Sequence, residues 1–200
     1  MSRNRLWIWM KKRGWAYLAC GLGMILISGF YPFLRFSEEQ IDIHIYPDHI
    51  TVDGYYLLEN PFPIPSRQEL YYPLPHDPGV PVGTVQLVQQ LSPERKDLPR
   101  RMVDGQHRMT VSLSPNGQSL VRTVYDQPAP QRKARYILET TQEWGRPLRY
   151  GMYRMFTHGV TLESSNYPVK PYPGGFLGFE KENFMPLEDW TFSWKAKSDD

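Results

Sequence analysis

The sequence predicts an all-β exported domain, a β-sandwich of about ten short antiparallel strands, carried on a single N-terminal transmembrane α-helix. Three observations support this prediction. Residues 14–34 are uncharged and mostly apolar, and apolar and polar residues alternate with a period of two through much of the remainder. The 19 prolines and 15 glycines are spread along the chain without a repeat. We therefore divide the chain into a basic N-terminus over 1–13, the helix over 14–34 and the sandwich over 35–200.

The stretch 14–34 has the length of a membrane span. Its 21 residues carry no charge, and a helix of that length is about 30 Å long, as thick as the hydrocarbon core of a bilayer. The positive-inside rule places the basic N-terminus in the cytoplasm. The topology-determining charges are those of Arg3, Arg5, Lys11, Lys12 and Arg13. We expect a single-pass protein of the bacterial inner membrane, in contact with the lipid bilayer and with its C-terminal domain in the periplasm.

Three other interpretations of this stretch remain open. A cleaved signal peptide would share the basic start but have a shorter apolar region. A lipoprotein would be acylated at Cys20, although fourteen uncharged, mostly apolar residues continue past that position. A buried helix of a soluble protein would leave the basic flank unexplained. We prefer an uncleaved signal anchor, in which small residues four apart could pack against a second helix, namely Ala16, Ala19, Cys20 and Gly23.

The alternation of apolar and polar residues predicts the strands of the domain over 35–200. Ile41, Ile43 and Ile45 share one face of the first strand, with polar residues between them. The clearest hairpin joins 107–113 to 119–125 through a Ser-Pro-Asn-Gly turn. The other predicted strands are 49–52, 55–59, 68–72, 83–89, 134–141, 150–158, 161–165, 175–180 and 189–195. Proline-rich loops connect them.

No catalytic or cofactor motif is found in the sequence. The five histidines lack metal-ligand spacings such as His-x-x-x-His, and no Gly-x-Ser-x-Gly elbow occurs. From residue 36 onward the net charge is −4, which argues against nucleic-acid binding. We expect no enzyme activity, no metal and no cofactor. For a hydrolase, the residues to inspect first are His76, Asp77, Glu139 and Glu143.

Aromatic residues supply the candidate contacts. They make up 14% of the chain, and adjacent aromatics on a strand must point to opposite faces. Trp190 and Trp194 share one face of the last predicted strand, which suits either a core or an interface. The candidate contacts with a partner protein or a glycan are Tyr55, Tyr56, Tyr71, Tyr72, Trp190 and Trp194.

These observations favour a non-catalytic binding or scaffold module. The expected role is an accessory subunit of a larger membrane complex, whose partner is an integral-membrane or periplasmic protein. Two alternatives stay open. One is a glycan-binding module of the cell envelope, supported by the aromatic residues. The other is a membrane-anchored hydrolase, whose acids or histidines would have to converge in space.

Overall fold

The computed structural model describes residues 34–76, 79–103 and 106–197, all within one compact unit of the chain. Most of them form β-strands, and a single 3-10 helical turn spans Glu139–Trp144. In chain order the strands are β1 Arg35–Ile45, β2 His49–Glu59, β3 Ser66–Tyr72, β4 Thr84–Gln90, β5 Lys96–Asp97, β6 Arg100–Val103, β7 Gln106–Leu113, β8 Gln118–Pro128, β9 Lys133–Tyr136, β10 Leu148–Thr157, β11 Val160–Ser165, β12 Lys170–Tyr172, β13 Phe176–Phe184 and β14 Trp190–Ala196.

The strands form one large sheet and two small ones. The large sheet has eight strands in the order β12-β13-β10-β1-β2-β8-β4-β5. The large sheet is mixed: β1 and β10 run parallel to each other, whereas the other pairs of neighbouring strands in the sheet are antiparallel. The small sheets have the orders β11-β14-β9 and β3-β7-β6.

The core lies against the inner face of the large sheet. Ile41, Ile43 and Ile45 of β1 point inward and are fully buried, as their alternation predicts. Both small sheets cover this face, since Tyr56 of β2 contacts Tyr72 of β3 and Tyr136 of β9. One hydrophobic cluster therefore connects all three sheets.

The prediction of a β-sandwich is wrong. A sandwich has two antiparallel sheets, whereas this domain has a mixed sheet covered by two smaller ones. Alternation along one strand reports which residues are buried, but it carries no information on strand direction or on the choice of neighbour. The parallel pairing of β1 with β10 was therefore invisible in the sequence.

The predicted membrane anchor is contradicted as well. No helix in the described part of the chain is long and apolar enough to cross a bilayer, so the inner-membrane location and the cytoplasmic N-terminus are not supported. The stretch 14–34 lies outside the described residues except for Leu34, which is buried in the β-domain with its N–H donating to Gln68 Oε1 at 3.2 Å. Also outside the described residues are Arg3, Arg5, Lys11, Lys12, Arg13, Ala16, Ala19, Cys20 and Gly23.

One predicted strand is interrupted. The strand expected over 134–141 ends at Tyr136, and the chain then turns into the 3-10 helix. Asp189, from the loop before β14, accepts hydrogen bonds from the backbone N–H groups of Leu138 and Glu139 at 2.9 and 3.2 Å. These bonds satisfy donors at the start of the helical turn, and they tie it to the small sheet that contains β14.

Candidate functional site

A cleft opens where the chain passes from the large sheet to the sheet β3-β7-β6. Its volume is about 330 Å³, at the lower end of the range for small-molecule sites. The crossing point is Leu98–Pro99, between β5 and β6. Buried Leu98 anchors it by donating its N–H to the carbonyl of Val88 at 3.0 Å. The other lining residues are Arg67, Glu69, Lys96, Asp97, Arg101, Arg108, Met109, Thr110 and Ser112.

The cleft is positively charged. Four basic side chains line it against the two carboxylates of Glu69 and Asp97. Both carboxylates have partners: Glu69 lies 3.4 Å from Arg108, and Asp97 accepts a hydrogen bond of 2.7 Å from Gln89. Within the described ranges, the exposed side chains of Arg67, Lys96 and Arg101 make no hydrogen bond or ion pair. Their charged groups are therefore available to a ligand.

A second concentration of polar groups is buried in the core. Glu39 of β1 is 5% exposed and accepts a hydrogen bond from the Tyr153 hydroxyl. Burial raises the pKa of Glu39 to about 7, although the bond from Tyr153 opposes the rise. Burial also raises the pKa of Tyr153 well above its ordinary value, and the neighbouring Glu39 raises it further. Both groups are therefore largely protonated below neutral pH.

Two glycines make room for the rings around Glu39. Glu39 pairs with Gly151 on the neighbouring strand β10 and with Tyr56 on the other neighbouring strand, β2. A Cβ at Gly151 would lie 2.8 Å from the ring of Tyr153, and one at Gly54 would lie 2.2 Å from the Tyr56 hydroxyl. Each tyrosine ring thus lies over a glycine two residues earlier on its own strand. Glu39, Tyr153 and Tyr56 are not among the residues that line the cleft.

A run of stacked rings crosses the outer face of the large sheet. Neighbouring rings in this run are nearly parallel, with interplanar angles of 19° or less. The exception is the pair Phe176 and Phe156, whose planes are tilted by 41°. At its centre, His44 Nδ1 lies 3.1 Å from His158 Nε2, so one imidazole donates its N–H to the other. In order, the rings are Tyr172, Phe176, Phe156, His44, His158, Tyr46 and His49.

We expect His44 to titrate below its ordinary value. Burial lowers the pKa of His44, and His158 and Arg154 lower it further, while Asp42 and Asp53 act in the opposite direction. Because the folded pKa lies below 6.5, the folded state binds this proton less readily, and stability falls as pH drops below 6.5. NMR titration of the imidazole should show this midpoint, and His158→Gln should raise it. A midpoint at or above 6.5 would contradict the assignment.

The predicted contact residues are divided between surface and core. Trp190 and Trp194 are at most 1% exposed and pack through Phe192, so they belong to the core. Tyr56 and Tyr72 point inward, and their hydroxyls lie 2.8 Å apart. Neither pair offers a ring to a partner in this conformation.

Two of the predicted residues face solvent. Tyr55 is half-buried on the outer face of the large sheet, where the Arg122 guanidinium lies 5.5 Å from its ring centre. Arg122 also forms a two-point ion pair with Asp53, so Tyr55 is held in a packed polar group. Tyr71 is 43% exposed and stands directly opposite Arg108 on β7. Tyr71 is the predicted contact that lies beside the cleft.

The residues suggested for hydrolase chemistry do not converge. His76 is exposed in a loop, and Asp77 lies outside the described residues. Glu139 and Glu143 are exposed on the 3-10 turn. Among the described residues, no group of three or more histidines, cysteines or acids could hold a metal ion.

The sequence analysis missed the basic cleft and the buried Glu39. The cleft draws its charges from four strands, so a net charge summed over the whole body concealed it. Glu39 had a usable signal. The alternation of Ile41, Ile43 and Ile45, extended two residues toward the N-terminus, places Glu39 on the buried face.

Comparison with known proteins bears on the fold alone. No protein-family model matches the chain, and no curated protein matches it. Among solved structures, it is similar to a candidate nutrient binding protein from Legionella pneumophila, with a TM-score of 0.62 and 10% identity over 82% of this chain and 68% of that chain. At this identity the similarity shows a shared fold.

Two further solved structures are more distant. An M1 zinc metallopeptidase from Deinococcus radiodurans gives a TM-score of 0.46 with 12% identity, over 80% of this chain and 42% of that chain. Yeast LTA4 hydrolase gives 0.49 with 8% identity, over 82% of this chain and 29% of that chain. The chain thus spans less than half the length of either protein, and these similarities carry no argument about its activity.

Proposed function

We propose that this chain is a non-catalytic binding domain whose basic cleft holds an anionic ligand. The observation that carries the proposal is the set of three side chains, Arg67, Lys96 and Arg101, whose charged groups make no hydrogen bond or ion pair within the described ranges. Exposed cations are common on protein surfaces, but here they converge on one concave site in a domain whose overall charge is negative. Such a site attracts and orients anions.

The lining of the cleft suits recognition. Arginine presents a planar fork of donors that matches carboxylate or phosphate groups. Thr110 and Ser112 add hydroxyl groups, and Leu98, Pro99 and Met109 add apolar surface. A few fixed polar groups beside apolar surface are typical of ligand pockets. The similar Legionella protein is described as a candidate nutrient binder, which agrees with a binding role for this fold.

We expect Arg101→Gln to weaken anion binding by the full-length protein about tenfold, because a hydrogen bond to a charged group contributes about 1.5 kcal/mol or more. The measurement is calorimetric titration with citrate at low salt. Added salt should weaken binding further, because it screens exposed charges.

Arg146→Gln is the matched control. Arg146 is exposed, as Arg101 is, but it lies in the loop after the 3-10 turn and does not line the cleft. It should bind citrate like the wild type. The proposal fails if the wild type binds no anion, or if Arg146→Gln weakens binding as much as Arg101→Gln does.

A further inference from the structure

We infer that the anion held by the cleft is an acidic sugar, a uronate unit of a polysaccharide. The inference rests on the proposed function and narrows it to one class of ligand. Three kinds of side chain carry it, namely the cations and the hydrogen-bond acceptors that line the cleft and an exposed aromatic ring beside it. A uronate needs all three, because it has a carboxylate, several hydroxyl groups and an apolar C–H face.

The cations match the carboxylate. Arg67 on β3 and Arg101 on β6 are exposed and lie on different strands of the same small sheet. Arg108, on β7, lies in the central strand of that sheet. A guanidinium binds a carboxylate through two parallel N–H···O bonds. A single carboxylate on the ligand is therefore enough to pair with an arginine of the cleft.

The carboxylates of the cleft argue against a ligand that is only an anion. Glu69 and Asp97 repel a bare phosphate or sulfate, yet both line the site. Each can accept hydrogen bonds from hydroxyl donors, and the Glu69 side chain is half exposed. With Thr110 and Ser112, they form a set of acceptors and hydroxyl groups suited to a polyol. A ligand with one negative charge and several hydroxyl groups satisfies both kinds of lining residue.

Tyr71 supplies the aromatic surface. Residues 67, 69 and 71 point to the same face of β3, because side chains alternate along a strand. Tyr71 therefore lies on the face that forms the cleft, opposite Arg108 and 43% exposed. Exposed tyrosine rings combine an apolar face with a polar hydroxyl. In the run of stacked rings on the large sheet, by contrast, ring faces are packed against one another, so that run presents little ring face to a sugar.

The test is calorimetric titration of the full-length protein with trigalacturonate, its neutral methyl ester and citrate. We expect trigalacturonate to bind at least about tenfold more tightly than the methyl ester, because the ester cannot form the charged pair with arginine. It should also bind more tightly than citrate, which has no sugar ring. Tyr71→Ala should weaken trigalacturonate binding about fivefold and leave citrate binding unchanged.

Two variants control for the loss of a surface ring. Tyr71→Phe keeps the ring and should keep most of the affinity. Phe62→Ala removes a ring that is also 43% exposed but belongs to the loop before β3 and not to the strand face that carries Arg67 and Glu69, and it should have no effect. If citrate binds in an Arg101-dependent manner while trigalacturonate binds no better than its ester, the inference is overturned and the proposed function stands. If no anion binds, both are overturned.

Discussion

Replacing Glu39 by Gln is expected to stabilise the protein at pH 8 by about 3 kcal/mol and to leave its stability at pH 4 nearly unchanged. Burial raises the pKa of Glu39 from 4.5 in the unfolded chain to about 7. Each pKa unit corresponds to about 1.4 kcal/mol. Gln has the same size and carries no charge, so it removes the cost of ionising a buried group.

The sign follows from proton linkage. Between pH 4.5 and about 7 the folded state binds the Glu39 proton more tightly than the unfolded chain does. The contribution of Glu39 to stability is therefore fully present below pH 4.5, declines as pH rises, and is lost above about 7. This is the reverse of the behaviour of a carboxylate in an ion pair, whose pKa is lowered.

The measurement is urea unfolding of wild type and Glu39→Gln at several pH values from 4 to 8. Taking the difference between the two proteins cancels the titration of other groups. Glu38→Gln is the control, because Glu38 faces solvent and pairs with Arg149 at 2.6 Å. A difference between wild type and Glu39→Gln that stays constant over this range would refute the assignment.

Trp190→Ala is expected to cost about 4 kcal/mol of unfolding free energy, the usual range for removing a large buried aromatic residue. Trp190 is fully buried, and its ring centre lies 5.0 Å from that of Phe179 and 5.5 Å from that of Phe192. Its indole N–H donates to Ser165 Oγ at 3.0 Å. The substitution leaves a cavity between the large sheet and the sheet β11-β14-β9, and it removes one of the two hydrogen bonds of the Ser165 hydroxyl, which still donates to the carbonyl of Tyr167.

Chemical denaturation of full-length variants checks this expectation. Tyr71→Ala is the comparison, because Tyr71 is a large but exposed aromatic residue, and it should change stability by less than about 0.5 kcal/mol. Trp190→Phe should fall between the two. A loss below about 1 kcal/mol for Trp190→Ala would show that the residue is not a core residue, and it would reopen its predicted role as a partner contact.

The sequence predicts the local β-structure of this domain well and its assembly poorly. Alternation correctly places Ile41, Ile43 and Ile45 on one buried face. The Ser-Pro-Asn-Gly turn does separate β7 from β8, but the predicted hairpin is wrong, because β7 pairs with β3 and β6 whereas β8 pairs with β2 and β4 in the large sheet. Strand direction and sheet membership depend instead on contacts between distant segments, so the sandwich prediction fails where β1 meets β10.

The candidate site was harder to predict for a related reason. Arg101 and Arg108 pair across the consecutive strands β6 and β7, but Arg67 is far from both in the chain and joins them only because β3 is the other neighbour of β7 in the sheet. Tyr71 was identified from its adjacent tyrosine, but its exposure came from the strand's orientation. A site whose residues come from several strands can be predicted only when the order of the strands in the sheet is known. The buried face of a strand, by contrast, can be predicted from the sequence of that strand alone.

The parallel pairing of β1 with β10 also constrains the order in which the domain folds. Glu38 pairs with Tyr150 and Ile45 with Thr157, so the middle of the large sheet joins segments that are distant in the chain. Such contacts close large loops and form slowly. During synthesis β1 can pair with β2 early, but its other edge stays open until β10 has emerged from the ribosome. An open strand edge can pair with other chains, which makes incomplete chains ending before residue 148 the species most prone to aggregation.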